Sequence, residues 1–237
     1  MRTKLMNRLV DLMILALVVG LLVVVTQPDA LLSVFRDQPP QPYRQGPSDE
    51  PVISLEINVD WGEEFIPAML ETLKARDIKA TFFVSGRWAD KNPDLLKTIA
   101  EAGHEIGSHG YLHKAYSQLT YEDNREQIQR AQTAIEQACG LKPTLFAPPS
   151  GDYGDATLRA ADALGMKTVL WSIDTIDWRK EGVDPILSRV MKKAHNGGFI
   201  LMHPTQYTAQ ALPTMLDQLA QQGYRFAPVG DQIRAGA

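Results

Sequence analysis

VISLEINVDWGEEFIPAMLETLKARDIKATFFVS, residues 52–85, decides the fold. VISLEINV (52–59) is a β-rich apolar run and reads as a strand. IPAMLETLKA follows, with Pro67 near its first turn and Ile66, Met69, Leu70 and Leu73 on one helical face. KATFFVS (79–85) is a second strand. A strand, a helix and a strand in succession form a parallel pair joined by a crossover.

Outward from this unit the alternation continues. NPDLLKTIAEAG is a helix ended by Gly103, and HEIGSH (104–109) is a short strand. Thr120 opens a long helix, with Asp123 three residues on in a capping-box pattern. TLFAPP (144–149) is a strand, and DATLRAADALG is a helix capped by Asp155. KTVLWSID (167–174) is a strand, and DPILSRVMKKAHNGG is a helix with Asp184 as cap and Pro185 in its first position. GFILMH (198–203), a helix over QALPTMLDQLAQQG and a last strand, YRFAPV, complete the chain. The expected fold is α/β: a distorted (β/α)7 barrel of parallel strands, one unit short of the eightfold one. In such barrels the chemistry sits at the C-terminal strand ends.

That rim gathers the unusual residues. Asp60 follows the first strand and His109 ends the third. PPSG (148–151) follows the fourth, Asp174 and Asp177 the fifth, and His203 ends the sixth. SHGYLH (108–113) sets His109 and His113 four residues apart. Two histidines and a carboxylate, with one position left for water, form a hydrolytic zinc site. A histidine pair alone is weak evidence, and His203 behind the apolar FILM also reads as a satisfied core histidine.

The 237 residues carry a net charge of −4, which excludes a basic surface for nucleic acid or anionic lipid. The single cysteine, Cys139, forms no internal disulfide and reads as a small buried group. Arg2, Lys4 and Arg8 precede the apolar run 12–25, so residues 1–36 are expected to be a cytoplasmic start and a transmembrane signal anchor, with a cleaved signal as runner-up. The remainder then lies outside the membrane. Residues 37–51, with five prolines, read as an extended spacer that does not pack, and residues 52–237 as the domain.

KATFFVSGRW, GHEIGSHGYLH, FAPPSG, DTIDW and ILMHPT, in this order, resemble the polysaccharide deacetylases, the NodB-homology domain of carbohydrate esterase family 4, and most closely its sporulation-associated branch. The resemblance covers residues 52–232. It implies a divalent metal, usually Zn2+ with Co2+ or Mn2+ as alternatives. It also implies removal of acetyl groups from peptidoglycan or another polymer containing N-acetylglucosamine. By the same resemblance His109 and His113 bind metal and His203 is the general acid, oriented by Asp177, whose charge would raise the histidine pKa. Trp178 and Leu201 line the acetyl pocket, the backbone N–H near Ser150 stabilises the oxyanion, and Pro149, Ser150 and Gly151 bind substrate.

Two departures stand out. The family's first motif, TFDDG, is INVDWG here. Counting back from Pro67 puts Asn58 and Val59 at the two aspartate positions, whereas aligning on Gly62 puts Asp60 at the base and Trp61 at the metal. A D-x-D spacing puts Asn58 at the base and Asp60 on the metal. The third register is preferred, because Glu56, Asn58 and Asp60 share one strand face while Val59 points away. The third motif begins with Ala147 where the family has an arginine paired to the base. Losing both partners leaves no uncompensated buried charge. Asparagine cannot accept a proton, so Asp60 itself, or Glu56, Glu63 or Asp174 through water, is the base, or the domain is a poor catalyst. The leading expectation is a metal-dependent deacetylase. The alternative is a catalytically impaired glycan-binding domain. An amidohydrolase of small cyclic amides is a third reading, which the export signal argues against.

Overall fold

The structure is a computed structural model that describes residues 38–236 together with Met6 and residues 12–15. The anchor expected within residues 1–36 therefore falls largely outside the described residues. Among those described, no helix is long and apolar enough to cross a membrane. The chain divides after Pro39, and the sheet, its helices and the pocket all belong to the unit from Pro40 onward.

Among the described residues, eight strands run β1 Val52–Val59, β2 Thr81–Val84, β3 Glu105–Ser108, β4 Leu145–Phe146, β5 Lys167–Thr168, β6 Ile173–Asp174, β7 Phe199–Met202 and β8 Arg225–Phe226. Their ladders are parallel, in the order β5-β4-β3-β2-β1-β7-β6, with β8 beside the start of β1. This curled parallel sheet is consistent with the expected (β/α)7 barrel. The helices are α1 Ile66–Lys74, α2 Gly86–Lys91, α3 Pro93–Glu101, α4 Tyr121–Cys139, α5 Asp155–Ala163, α6 Val183–Lys193, α7 Gln206–Gln221 and α8 Val229–Ala235.

Strand β1 organises both faces of the sheet. Ile53, Leu55, Ile57 and Val59 point outward into the apolar cluster that includes Met69 and Leu73 of α1 and Leu212, Met215 and Leu216 of α7. Ser54, Glu56 and Asn58 alternate with them, are buried, and face the barrel interior. At the lower end Gln232 of α8 donates to Ser54 Oγ, while Thr81 Oγ1 and Glu105 Oε2 accept from the N–H groups of Val229 and Gly230. The last helix thus closes the barrel bottom.

Four expectations need correction. The single strand 167–174 is two strands at opposite ends of the sheet: β5 pairs with β4, and β6 with β7. Residues 37–51 are not a free spacer throughout. Tyr43 N–H donates to Thr168 O, Leu170 N–H to Tyr43 O and Gly46 N–H to Gly197 O, so this strap satisfies backbone that the split strand leaves open. The C-terminal strand is only Arg225–Phe226, and PVGD turns into α8. Gly154 and Gly182, not Asp155 and Asp184, are the residues that precede α5 and α6. Thr120 caps α4 as expected: its Oγ1 accepts from the Asp123 N–H and donates to Asp123 Oδ2.

Candidate active site

Asn58, Asp60, Trp61, His109, His113, Ser150, Trp171, Asp174, Trp178, Leu201 and His203 line one pocket of about 460 Å³ at the C-terminal rim. Residues from five separate stretches of the chain converge because they lie at or just beyond the carboxyl ends of parallel strands. Asp177 lies behind His203, and Pro149 and Gly151 belong to the turn that presents Ser150 without lining the pocket themselves. Ser150 sits at φ 57°.

The wall around β7 is fully bonded. Asp177 is buried in the turn after β6. Its Oδ1 accepts from His203 Nδ1 at 2.7 Å. Its Oδ2 accepts from the His203 N–H and from Thr208 Oγ1, both at 2.6 Å. The imidazole is thereby fixed with Nδ1 toward the aspartate, leaving Nε2 as its free end. Trp61 lies parallel to this ring at 6.1 Å, and the indole of Trp178 is 54% exposed at the pocket mouth.

The opposite wall is built differently. His109 is buried and its Nδ1 is 2.8 Å from the Ala147 carbonyl, so the proton sits on Nδ1 and the Nε2 lone pair is available. Burial, reinforced by His113, pushes its pKa down to about 3, and the ring is neutral. The rings of His109 and His113 are 5.5 Å apart. Asp60, however, is engaged elsewhere. Ser85 Oγ donates to its Oδ1 at 2.5 Å, Arg87 Nε donates to the same oxygen at 2.7 Å, and Arg87 Nη2 takes Oδ2. Burial works to raise the Asp60 carboxyl. The bonds from Arg87 and Ser85 and the Arg87 charge outweigh it and hold it below the usual carboxylate range.

Enzymes of the suspected kind are generally metal-dependent. The two histidines suit a metal: one is neutral and oriented by a carbonyl through its second nitrogen. The carboxylate does not, because a bidentate guanidinium holds both of its oxygens. Among the described residues, no three histidine, cysteine or carboxylate groups assemble into a metal-holding set. Arg87 and Ser85 are the residues that the sequence did not reveal. SGRW follows β2, whose end lies on the same rim, and that position was the available signal.

Asn58 is 3% exposed at the pocket floor, and Ala147, whose carbonyl meets His109 Nδ1, has no charge to offer. Residues 45–169, just over half of the chain, match the family model for polysaccharide deacetylase. The chain belongs to the polysaccharide deacetylase family. A peptidoglycan-N-acetylglucosamine deacetylase of Bacillus cereus is 34% identical over 194 residues, which are 79% of this chain and 91% of that relative. YlxY of Bacillus subtilis is 43% identical over 190 residues, 80% of this chain, and the chain spans 60% of YlxY. Among solved structures, a CE4 family pseudoenzyme from Bacillus anthracis superposes with a TM-score of 0.80 at 41% identity, covering 83% of this chain and 70% of that one. A mutant of that pseudoenzyme with restored enzymatic activity superposes equally well. The chain thus resembles both proteins named as peptidoglycan deacetylases and a family member named as a pseudoenzyme.

Proposed function

We propose that this chain binds N-acetylated amino-sugar polymer of the cell wall, peptidoglycan above all, without turning it over. One observation carries the reading. The rim carboxylate beside the histidine pair is locked by Arg87, and the neighbouring floor position is Asn58. Proton abstraction from water needs an ionised group free to accept. Asp60 is ionised but held by Arg87 and Ser85, and Asn58 cannot accept. A metal would be held by His109 and His113 alone and therefore weakly. His203, set by Asp177, is the acid-side residue in position to meet a leaving nitrogen. Trp61, Trp178 and Leu201 offer apolar faces to a sugar ring and an acetyl methyl. The positive start and the apolar run 12–25 favour a membrane-anchored protein that faces the wall.

A slow deacetylase is the second reading, favoured by Asp174. It lines the pocket beside Leu201, and its Oδ1 accepts from the Ile176 N–H at 2.8 Å. Calorimetric titration of the full chain with N-acetylglucosamine oligomers tests the binding claim. Saturable binding that weakens in Trp178→Ala is expected. No binding to oligomers or to purified cell-wall glycan would overturn it.

A further inference from the structure

The interior face of β1 carries an anomaly that the pocket walls do not use. Glu56 is 0% exposed, and among the described residues neither carboxyl oxygen has a hydrogen-bond partner. Asn58, two residues on, buries its Oδ1 without a partner as well. A buried polar group without a partner costs about 1–3 kcal/mol, and an isolated buried charge costs far more. Two such groups therefore stand side by side on one strand face, about 7 Å apart along the strand.

The neighbours of Glu56 are known from the ladder. Leu201 of β7 and Thr81 of β2 are in register with it, Asp174 of β6 lies beyond Leu201, and Glu105 of β3 lies beyond Thr81. Thr81 Oγ1 donates to Glu105 Oε2, and the Gly230 N–H donates to the same oxygen, so that carboxylate is satisfied. No cation faces Glu56 from this row. Burial, with like-charge repulsion from Asp174 added, pushes the Glu56 carboxyl up to about 8.

We infer that Glu56 stands beneath the pocket floor as a neutral acid whose O–H is directed to Asn58 Oδ1, and that this turns the Asn58 amide N–H2 toward the pocket. The pairing, direct or through one water, satisfies Asn58 Oδ1 and the hydroxyl oxygen of Glu56. It also sets the hydrogen-bond polarity of the floor. Where a base would accept, this pocket donates. An acetamido carbonyl is an acceptor and is matched. The ammonium of a deacetylated sugar offers only donors and leaves both sides unpaired. Asn58 is then the specificity residue for the intact N-acetyl group, and Glu56 is its positioning residue. This rests on the glycan-binding reading above and names the form of the sugar that it takes.

The test uses the full chain and two tetramers, one N-acetylated and one of free glucosamine. The N-acetylated tetramer should bind at least tenfold more tightly. Asn58→Leu should lose at least tenfold in affinity for it, while Glu56→Gln, a neutral isostere that can still donate, should stay within twofold. Carbon-13 titration of the wild-type protein should find the Glu56 carboxyl protonated at pH 7. An ionised Glu56 at pH 7 overturns the inference by itself, whatever binds. So does Asn58→Leu binding as the wild type, or Glu56→Gln falling as far as Asn58→Leu. If the wild type binds neither tetramer, the glycan-binding reading fails and the inference built on it fails too. Glu56 found protonated in that case would locate the fault in the ligand, and Glu56 found ionised would locate it in the floor.

Discussion

The two walls of the pocket were built to different standards. Around β7, Asp177 satisfies three donors, and His203 is fixed through both its ring and its backbone. Around β1, Asn58 and Glu56 have orphan atoms, and Asp60 has been drawn off by Arg87. On the function proposed above, the wall that would supply the acid is fully bonded, and the wall that would activate water is not. The difference teaches that the fully bonded wall has a structural role: Asp177 holds the turn after β6 to the start of α7.

Asp177→Ala should therefore be the most damaging single change. It removes the acceptor of three donors, two part-buried on His203 and one buried on Thr208, and should cost about 3 kcal/mol in chemical denaturation. A loss under about 1 kcal/mol would mean that the fully bonded wall is not structural.

Glu56→Gln should move stability the other way. The carboxyl titrates at 4.5 in its ordinary state and at about 8 when folded. Between those values the folded chain keeps a proton that the unfolded chain has released. The contribution is full below pH 4.5 and is lost as pH rises toward 8, by at most about 1.4 kcal/mol per pH unit. Glu56→Gln should flatten that decline and be the more stable protein at pH 8. Equal slopes for the two proteins would show that Glu56 is ionised in the fold.

Arg87→Ala frees Asp60 and should tighten zinc binding about tenfold by calorimetry, equivalent to about 1.4 kcal/mol. Because Arg87 is 44% exposed, its pair with Asp60 should cost under about 1 kcal/mol of stability. Zinc affinity unchanged in Arg87→Ala would restore Asp60 as a ligand in the wild-type protein. Smallest of all, Trp178→Ala should leave stability within about 0.5 kcal/mol, its effect being confined to glycan affinity.

Much of this was legible in the sequence. The alternation of β1, outward Ile57 and Val59 against inward Glu56 and Asn58, follows from the strand period, and with it the shared face that made Asp60 a pocket residue. Strand ends converge in any parallel barrel, so His109, Asp177 and His203 could be brought together without coordinates. What failed was non-local. KTVLWSID is one apolar run, and nothing in it says that its halves pair with strands at opposite ends of the sheet. The proline-rich strap packs because open backbone at Thr168, Leu170 and Gly197 awaits it, a demand that lies more than a hundred residues away. Arg87 was missed because an arginine in the first turn of a helix is ordinary; only the fold sets it against Asp60.

The most direct test of the central claim is acetate release. The chain, supplied with zinc, would be incubated with N-acetylglucosamine oligomers at a concentration where binding is saturated, with His203→Ala alongside. The account predicts bound oligomer and acetate no faster than in His203→Ala. Steady acetate release that His203→Ala abolishes would contradict it and make the β1 wall, Arg87 included, part of a working hydrolase.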